Sequence, residues 1–104
     1  MSQWITVAKA SEIAPGQAKC VDVGKLPIAL FNIDGTLYAI DDTCTHSGGP
    51  LSEGDLDGTE VTCPWHGAVF DLKTGEALNP PARKGVSCYK VQVNNGEIQI
   101  NMPS

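Results

Sequence analysis

The sequence predicts an all-β domain, a small antiparallel barrel or sandwich, and three observations carry that prediction. Turn signals are frequent and helical periodicity is scarce along all 104 residues. Two strong hairpin signals, Asp34-Gly35 and Asn95-Gly96, each stand between apolar runs. The stretch 41–82 departs from this pattern: it is rich in Gly, Pro and acids, and reads as a subdomain inserted between strands of the β base. The expected organisation is one domain over residues 1–104, with a base of about 1–40 and 83–104 and an insert of about 41–82 carrying two ligand loops.

The elements follow in order. Ser11-Glu12-Ile13-Ala14-Pro15-Gly16 suits one helical turn, with Ser11 as cap and Pro15-Gly16 as stop. Residues 18–23 read as a strand, and Gly24-Lys25 as a turn. Residues 28–33 and 36–40 flank Asp34-Gly35 as the first hairpin. Ala29-Leu30-Phe31 is apolar on both parities, which predicts a strand covered on both faces. Within the insert, residues 60–62 should be a strand leading into the second ligand loop and 68–71 the strand leaving it, before a turn at 73–76. Residues 89–93 alternate cleanly, and Asn95-Gly96 turns them into Ile98-Gln99-Ile100, a second hairpin with one buried face. The chain shows no internal repeat, low-complexity tract or linker.

Composition narrows the function. The apolar fraction is 41% and the charged fraction 18%, which is globular rather than disordered. A net charge of −5 argues against nucleic acid or an anionic membrane as partner. The N-terminus lacks a basic region followed by an apolar run, and no stretch reaches membrane-spanning length, so a cytoplasmic protein is expected. Two of the four cysteines, Cys20 and Cys88, read as ordinary strand thiols in a reducing compartment. Cys88 shares parity with Lys90 and Gln92 and should be partly exposed.

The chemistry sits in two short stretches, Cys44-Thr45-His46-Ser47-Gly48-Gly49 and Cys63-Pro64-Trp65-His66-Gly67. Each gives one cysteine and one histidine at a spacing that only a loop tip can supply. Sixteen residues separate His46 from Cys63. Facing each other, the two loops offer two sulfurs and two nitrogens to one buried object. Zinc accepts that donor set, but its structural sites usually open with Cys-x₂₋₄-Cys, and no Cys-x-x-Cys occurs here. The pattern Cys-x-His-x16-Cys-x-x-His resembles the Rieske family, in which two histidines replace two cysteines on one iron of a [2Fe–2S] cluster.

That resemblance implies four ligands, Cys44, His46, Cys63 and His66, with the cysteines on an inner iron and the histidines on an outer iron near the surface. Two ferric ions, two sulfides, two thiolates and two neutral imidazoles sum to zero charge, whereas four thiolates would start doubly negative. An electron is therefore easier to add, which raises the potential into the range of about −150 to +300 mV. High-potential members carry an extra cysteine in each loop; Gly49 and Trp65 stand in those places. They also carry a Ser and a Tyr that donate to sulfur; Ala68 and Phe70 stand there. The expectation is a low-potential centre. Gly48, Gly49 and Gly67 should let backbone N–H groups approach sulfur. Leu51 and Trp65 should shield it, and Asn79-Pro80-Pro81-Ala82 resembles the family's third, proline-containing loop.

With no Gly-x-Gly-x-x-Gly fingerprint and no histidine left for an oxygenase iron, the chain itself is not expected to be an enzyme. It resembles the monomeric Rieske ferredoxins that pass single electrons from an NADH-dependent, FAD-containing ferredoxin reductase to a terminal ring-hydroxylating oxygenase. The alternatives are the small subunit of an NADH-dependent nitrite reductase, a carrier for a di-iron monooxygenase or, from another class, a structural zinc module. Asp41, Asp42, Glu53, Asp55, Asp57 and Glu60 lie near the loop tips in sequence, with no Lys or Arg between positions 41 and 60. They read either as solubilising charge or as a steering surface for basic partners, with Trp65 as its apolar centre or merely a shield.

Overall fold

The computed structural model describes residues 2–43, 50–64, 67–78 and 85–103. Among them are nine strands: β1 (Ser2–Lys9), β2 (Ala18–Val23), β3 (Leu26–Ile33), β4 (Thr36–Asp41), β5 (Asp55–Asp57), β6 (Glu60–Thr62), β7 (Val69–Asp71), β8 (Cys88–Asn94) and β9 (Glu97–Pro103). Six form one sheet in the order β1-β9-β8-β4-β3-β2, and the other three form a small sheet in the order β5-β6-β7. Every neighbouring pair is antiparallel. β1 approaches β2, so the large sheet nearly closes on itself as a barrel.

Both hairpin turns form as the sequence requires. Asp34 and Gly35 have φ of 52° and 92°, and Asn95 and Gly96 have 54° and 77°. Left-handed values at both central residues give the turn the twist of its strands, and Asn, Asp and Gly tolerate them best. The first hairpin is also held from beside: Asn32 Oδ1 accepts the Gly35 N–H at 2.8 Å, and Asn32 Nδ2 donates to the Ile13 carbonyl at 2.8 Å.

β3 is covered on both faces, and the two faces serve different cores. Ile28 and Leu30 join Ile13, Val21, Ala39, Ile98 and Ile100 inside the near-barrel. Ala29 and Phe31, with Ile40 of β4, join Leu51, Val61, Cys63, Ala68, Phe70, Leu72 and Val86. Alternation along a strand sends successive side chains to opposite sides. β3 and β4 are thus the shared wall between the barrel interior and the small sheet. Each large apolar side chain buried there contributes about 1.5–3 kcal/mol.

One expectation needs correction, and two strands come in addition to those expected. The helical turn is a 3₁₀ turn at Ala10–Glu12 with Lys9 at its N-cap, so Ser11 lies inside it. Its position is fixed by long-range pairing, since the Ala10 N–H donates to the Gly96 carbonyl at 2.8 Å where β1 ends against β9. The N-terminal segment 2–9 is a full strand, held by its ladder to β9 with a bulge between Thr6 and Ala8. Asp55–Asp57 is also a strand despite its acids, because Leu56 turns inward while both carboxylates stay in water.

Candidate metal centre

The bases of three loops meet at the second core. Residues 44–49 lie between Thr43 and Pro50, which form an antiparallel bridge. Asp42 holds that base closed: its carbonyl accepts the Leu51 N–H at 2.6 Å and its Oδ1 accepts the Ser52 N–H at 2.7 Å. A short 3₁₀ turn, Leu51–Glu53, then buries Leu51 completely.

The second loop grows from the β6–β7 hairpin. The Cys63 N–H donates to the Ala68 carbonyl at 2.7 Å, and the Gly67 N–H donates to the Cys63 carbonyl at 3.1 Å. Gly67 has a φ of 76°, and among the described residues no atom lies within 4 Å of where its Cβ would be. Glycine is needed here for the backbone angle. Cys63 is 2% exposed, and Ala68 and Phe70 are fully buried in the same core.

The third loop, residues 79–84, also has its two ends held. Leu78 donates to the Val69 carbonyl at 2.8 Å before it, and Val86 donates to the Gly75 carbonyl at 2.7 Å after it. Gly75 and Gly85 let the backbones meet; a Cβ on Gly85 would lie 3.2 Å from the Glu76 Cα. The bases of the first two loops meet closely at Gly54. A Cβ there would collide with the Thr62 carbonyl oxygen, lie 2.9 Å from Val61 Cγ2 and lie 3.1 Å from the Leu51 carbonyl oxygen. One glycine thus packs the end of the first loop against the strand that delivers Cys63.

Of the four sequence-predicted ligands, Cys63 is described, at the mouth of the second loop. Cys44, His46 and His66 lie outside the described residues, as do Gly48, Gly49, Trp65 and the Asn79-Pro80-Pro81-Ala82 segment. What surrounds Cys63 suits the proposed group. Leu51, Val61, Ala68, Phe70 and Val86 make the setting apolar, and an ionised sulfur there needs a cation beside it. A centre of two thiolates, two neutral imidazoles and two sulfides carries no net charge when oxidised, so an apolar wall penalises it little.

The other cysteines stand apart from the second loop. Cys20 pairs with Ala29 on β2, and Cys88 pairs with Ile40 on β8. Cys88 is exposed, as its parity predicts, and its Sγ lies 3.3 Å from the Lys73 carbonyl oxygen. Cys20 is less ordinary. Partial burial, then the carboxylate of Asp42, to which the thiol hydrogen-bonds, push its pKa up to about 11. At neutral pH it holds its proton.

The acids divide in a way the sequence did not reveal. Asp42 is 7% exposed and is spent on the first loop. Asp41 accepts the Tyr89 hydroxyl at 2.6 Å and the Ser87 N–H at 3.2 Å. Of the six acids between positions 41 and 60, Glu53, Asp55, Asp57 and Glu60 are exposed. Among the described residues the one ion pair is Lys19–Glu12, far from these four in sequence.

A family model for the Rieske [2Fe–2S] domain matches residues 3–90. The 3-phenylpropionate/cinnamic acid dioxygenase ferredoxin subunit of Shigella flexneri serotype 5b (strain 8401) is 43% identical over 100 residues, covering 95% of this chain and 93% of that protein. Among solved structures, a ferredoxin of Sphingomonas yanoikuyae B1 superposes with a TM-score of 0.90 at 30% identity, covering 97% of this chain and all of that one. The structure described as a complex of reduced oxygenase and oxidized ferredoxin in carbazole 1,9a-dioxygenase contains a chain at 38% identity and a TM-score of 0.86, covering 93% of this chain and 91% of that one.

Proposed function

The chain belongs to the Rieske [2Fe–2S] domain family, and we propose that it is a soluble, monomeric, cytoplasmic one-electron carrier serving a terminal oxygenase of the aromatic-ring dioxygenase type. Single-electron storage is the chemistry the cluster supplies when bound. The protein's part is to hold, shield and expose it. Cys44, His46, Cys63 and His66 would be the four ligands, on a subdomain of about 41–82 carried by a base of about 1–40 and 83–104. The observation that carries this reading is buried Cys63 at the mouth of a hairpin loop, in one apolar core with the bases of two further loops.

An electron donor is also required, and an NADH-dependent, FAD-containing ferredoxin reductase fits that need. The dioxygenase ferredoxins among its relatives favour this reading over a nitrite reductase subunit or a carrier for a di-iron monooxygenase, and family membership sets the zinc module aside. The substrate chemistry belongs to the oxygenase, and this chain delivers electrons to it. The test is reconstitution with a dioxygenase reductase and oxygenase. Stopped-flow mixing should show the chain bleach on meeting reduced reductase and recolour on meeting oxidised oxygenase. Reduction by the reductase without any reoxidation by oxygenase would remove the proposed role.

A further inference from the structure

One carboxylate that the ligand pattern does not include ties the strand leading into the first loop to the end of the third. Asp41 ends β4 and stands three residues before Cys44. Its N–H donates to the Ser87 carbonyl at 3.0 Å, which extends the β4–β8 ladder past its last register pair, Ile40 with Cys88. Its side chain then doubles that contact: Oδ2 accepts the Ser87 N–H at 3.2 Å, and Oδ1 accepts the Tyr89 hydroxyl at 2.6 Å. Ser87 stands two residues beyond Gly85, where the third loop ends. The next residue, Asp42, closes the first loop on itself through Leu51 and Ser52. Consecutive residues thus bind the chain leading into the first ligand loop to the end of that loop and to the end of the third.

We propose that Asp41 and Tyr89 are positioning residues for the metal centre, setting how the end of the third loop is held against the base of the first. This rests on the ligand assignment above, since it is Cys44 that the clamp would place. Neither residue need touch the cluster. Both contribute through geometry: a half-buried phenol and a half-buried carboxylate fix each other at 2.6 Å, and each is anchored in a strand of the large sheet. If the clamp opens, water gains access between the loops. Water stabilises the more highly charged reduced state, so the potential should rise and the metal should leave faster.

The experiment uses the cluster-loaded protein and four variants: Asp41→Asn, Tyr89→Phe, the double variant, and Gln99→Ala as a distant reference. Gln99 belongs to the outer-face ladder in which it accepts from Gln92 at 2.6 Å and donates to Thr6 Oγ1 at 3.2 Å. Iron release into chelator and the midpoint potential by film voltammetry are read for each. Asp41→Asn and Tyr89→Phe should each release iron on the order of three- to tenfold faster and shift the potential upward. The double variant should be no worse than the worse single, because Tyr89→Phe removes a contact that Asp41→Asn already weakens by taking away its charge. Gln99→Ala should match wild type. Wild-type release and potential in both clamp variants, effects that add in the double variant, or an equal change in Gln99→Ala would each overturn the proposal. If the cluster survives Cys44→Ser, the ligand assignment itself fails, which is a separate and distinguishable result.

Discussion

Supplying the two missing hydroxyl donors, by Ala68→Ser and Phe70→Tyr, should raise the midpoint potential. Both residues are fully buried beside Cys63, so an added hydroxyl has no water to prefer over sulfur. The Ala68 carbonyl already accepts the Cys63 N–H at 2.7 Å, which fixes residue 68 at the base of the second loop. A hydrogen bond to a charged group is worth about 1.5–3 kcal/mol, and a tenfold change in a one-electron equilibrium is about 59 mV. If that full energy appeared only on reduction, each donor would raise the potential by about 60–130 mV. This is an upper bound, because the bond also forms in the oxidised state and only the difference counts. Crowding by the added atoms should destabilise the fold by about 1–3 kcal/mol. Strain common to both oxidation states cancels from the potential, so stability can fall while the potential rises. Film voltammetry decides, with the absorption spectrum confirming an intact cluster. An intact cluster at an unchanged or lower potential would refute the reasoning.

The exposed acids give a second prediction. Neutralising Glu53, Asp55 and Asp57 together should slow electron delivery at low salt on the order of tenfold and flatten its salt dependence, since exposed charges are screened. Wild-type rates and salt slope in stopped-flow reduction of an oxygenase would leave those acids with solubility alone. Gly54→Ala should cost about 1–3 kcal/mol in chemical denaturation, because its Cβ collides with the Thr62 carbonyl oxygen and one side must move; an unchanged midpoint would mean the two loop bases are not locked there. The last concerns alkali. Burial, then the Asp41 carboxylate, push Tyr89 from 10.0 up to about 12. The folded protein therefore keeps a proton that the unfolded chain loses, so this stabilisation is complete below pH 10 and drains away as pH rises toward 12. Tyr89→Phe should show a shallower fall in urea midpoint across that window, and an identical fall would contradict the assignment.

Much of the fold was legible because its turns are local. Asp34-Gly35 and Asn95-Gly96 demand left-handed angles, and the apolar parity of Ala29-Leu30-Phe31 announces a wall with a core on each side. Residues 2–9 were missed because their pairing partner lies some ninety positions away, at Glu97–Pro103. Asp55–Asp57 was missed because acids are poor strand formers, and three residues make too short a pattern to outweigh them. At the site, the hairpin that presents Cys63 could be read from the sequence, but the bracing could not. Asp41 and Asp42 look like two more surface acids until the fold brings Ser87, Tyr89 and Ser52 to them. Two adjacent carboxylates just ahead of a ligand loop, in a chain where acids usually face water, were the only local hint.

The central claim, a [2Fe–2S] cluster held by Cys44, His46, Cys63 and His66, is most directly tested by pulsed EPR of the dithionite-reduced protein beside a cysteine series. The account predicts two irons and two sulfides per chain, an average g below the free-electron value and coupling to two histidine nitrogens. That signal should vanish in Cys44→Ser and Cys63→Ser and persist in Cys20→Ser and Cys88→Ser. A reduced cluster without nitrogen coupling, a zinc-loaded protein without signal, or loss of the cluster in Cys20→Ser or Cys88→Ser would contradict it.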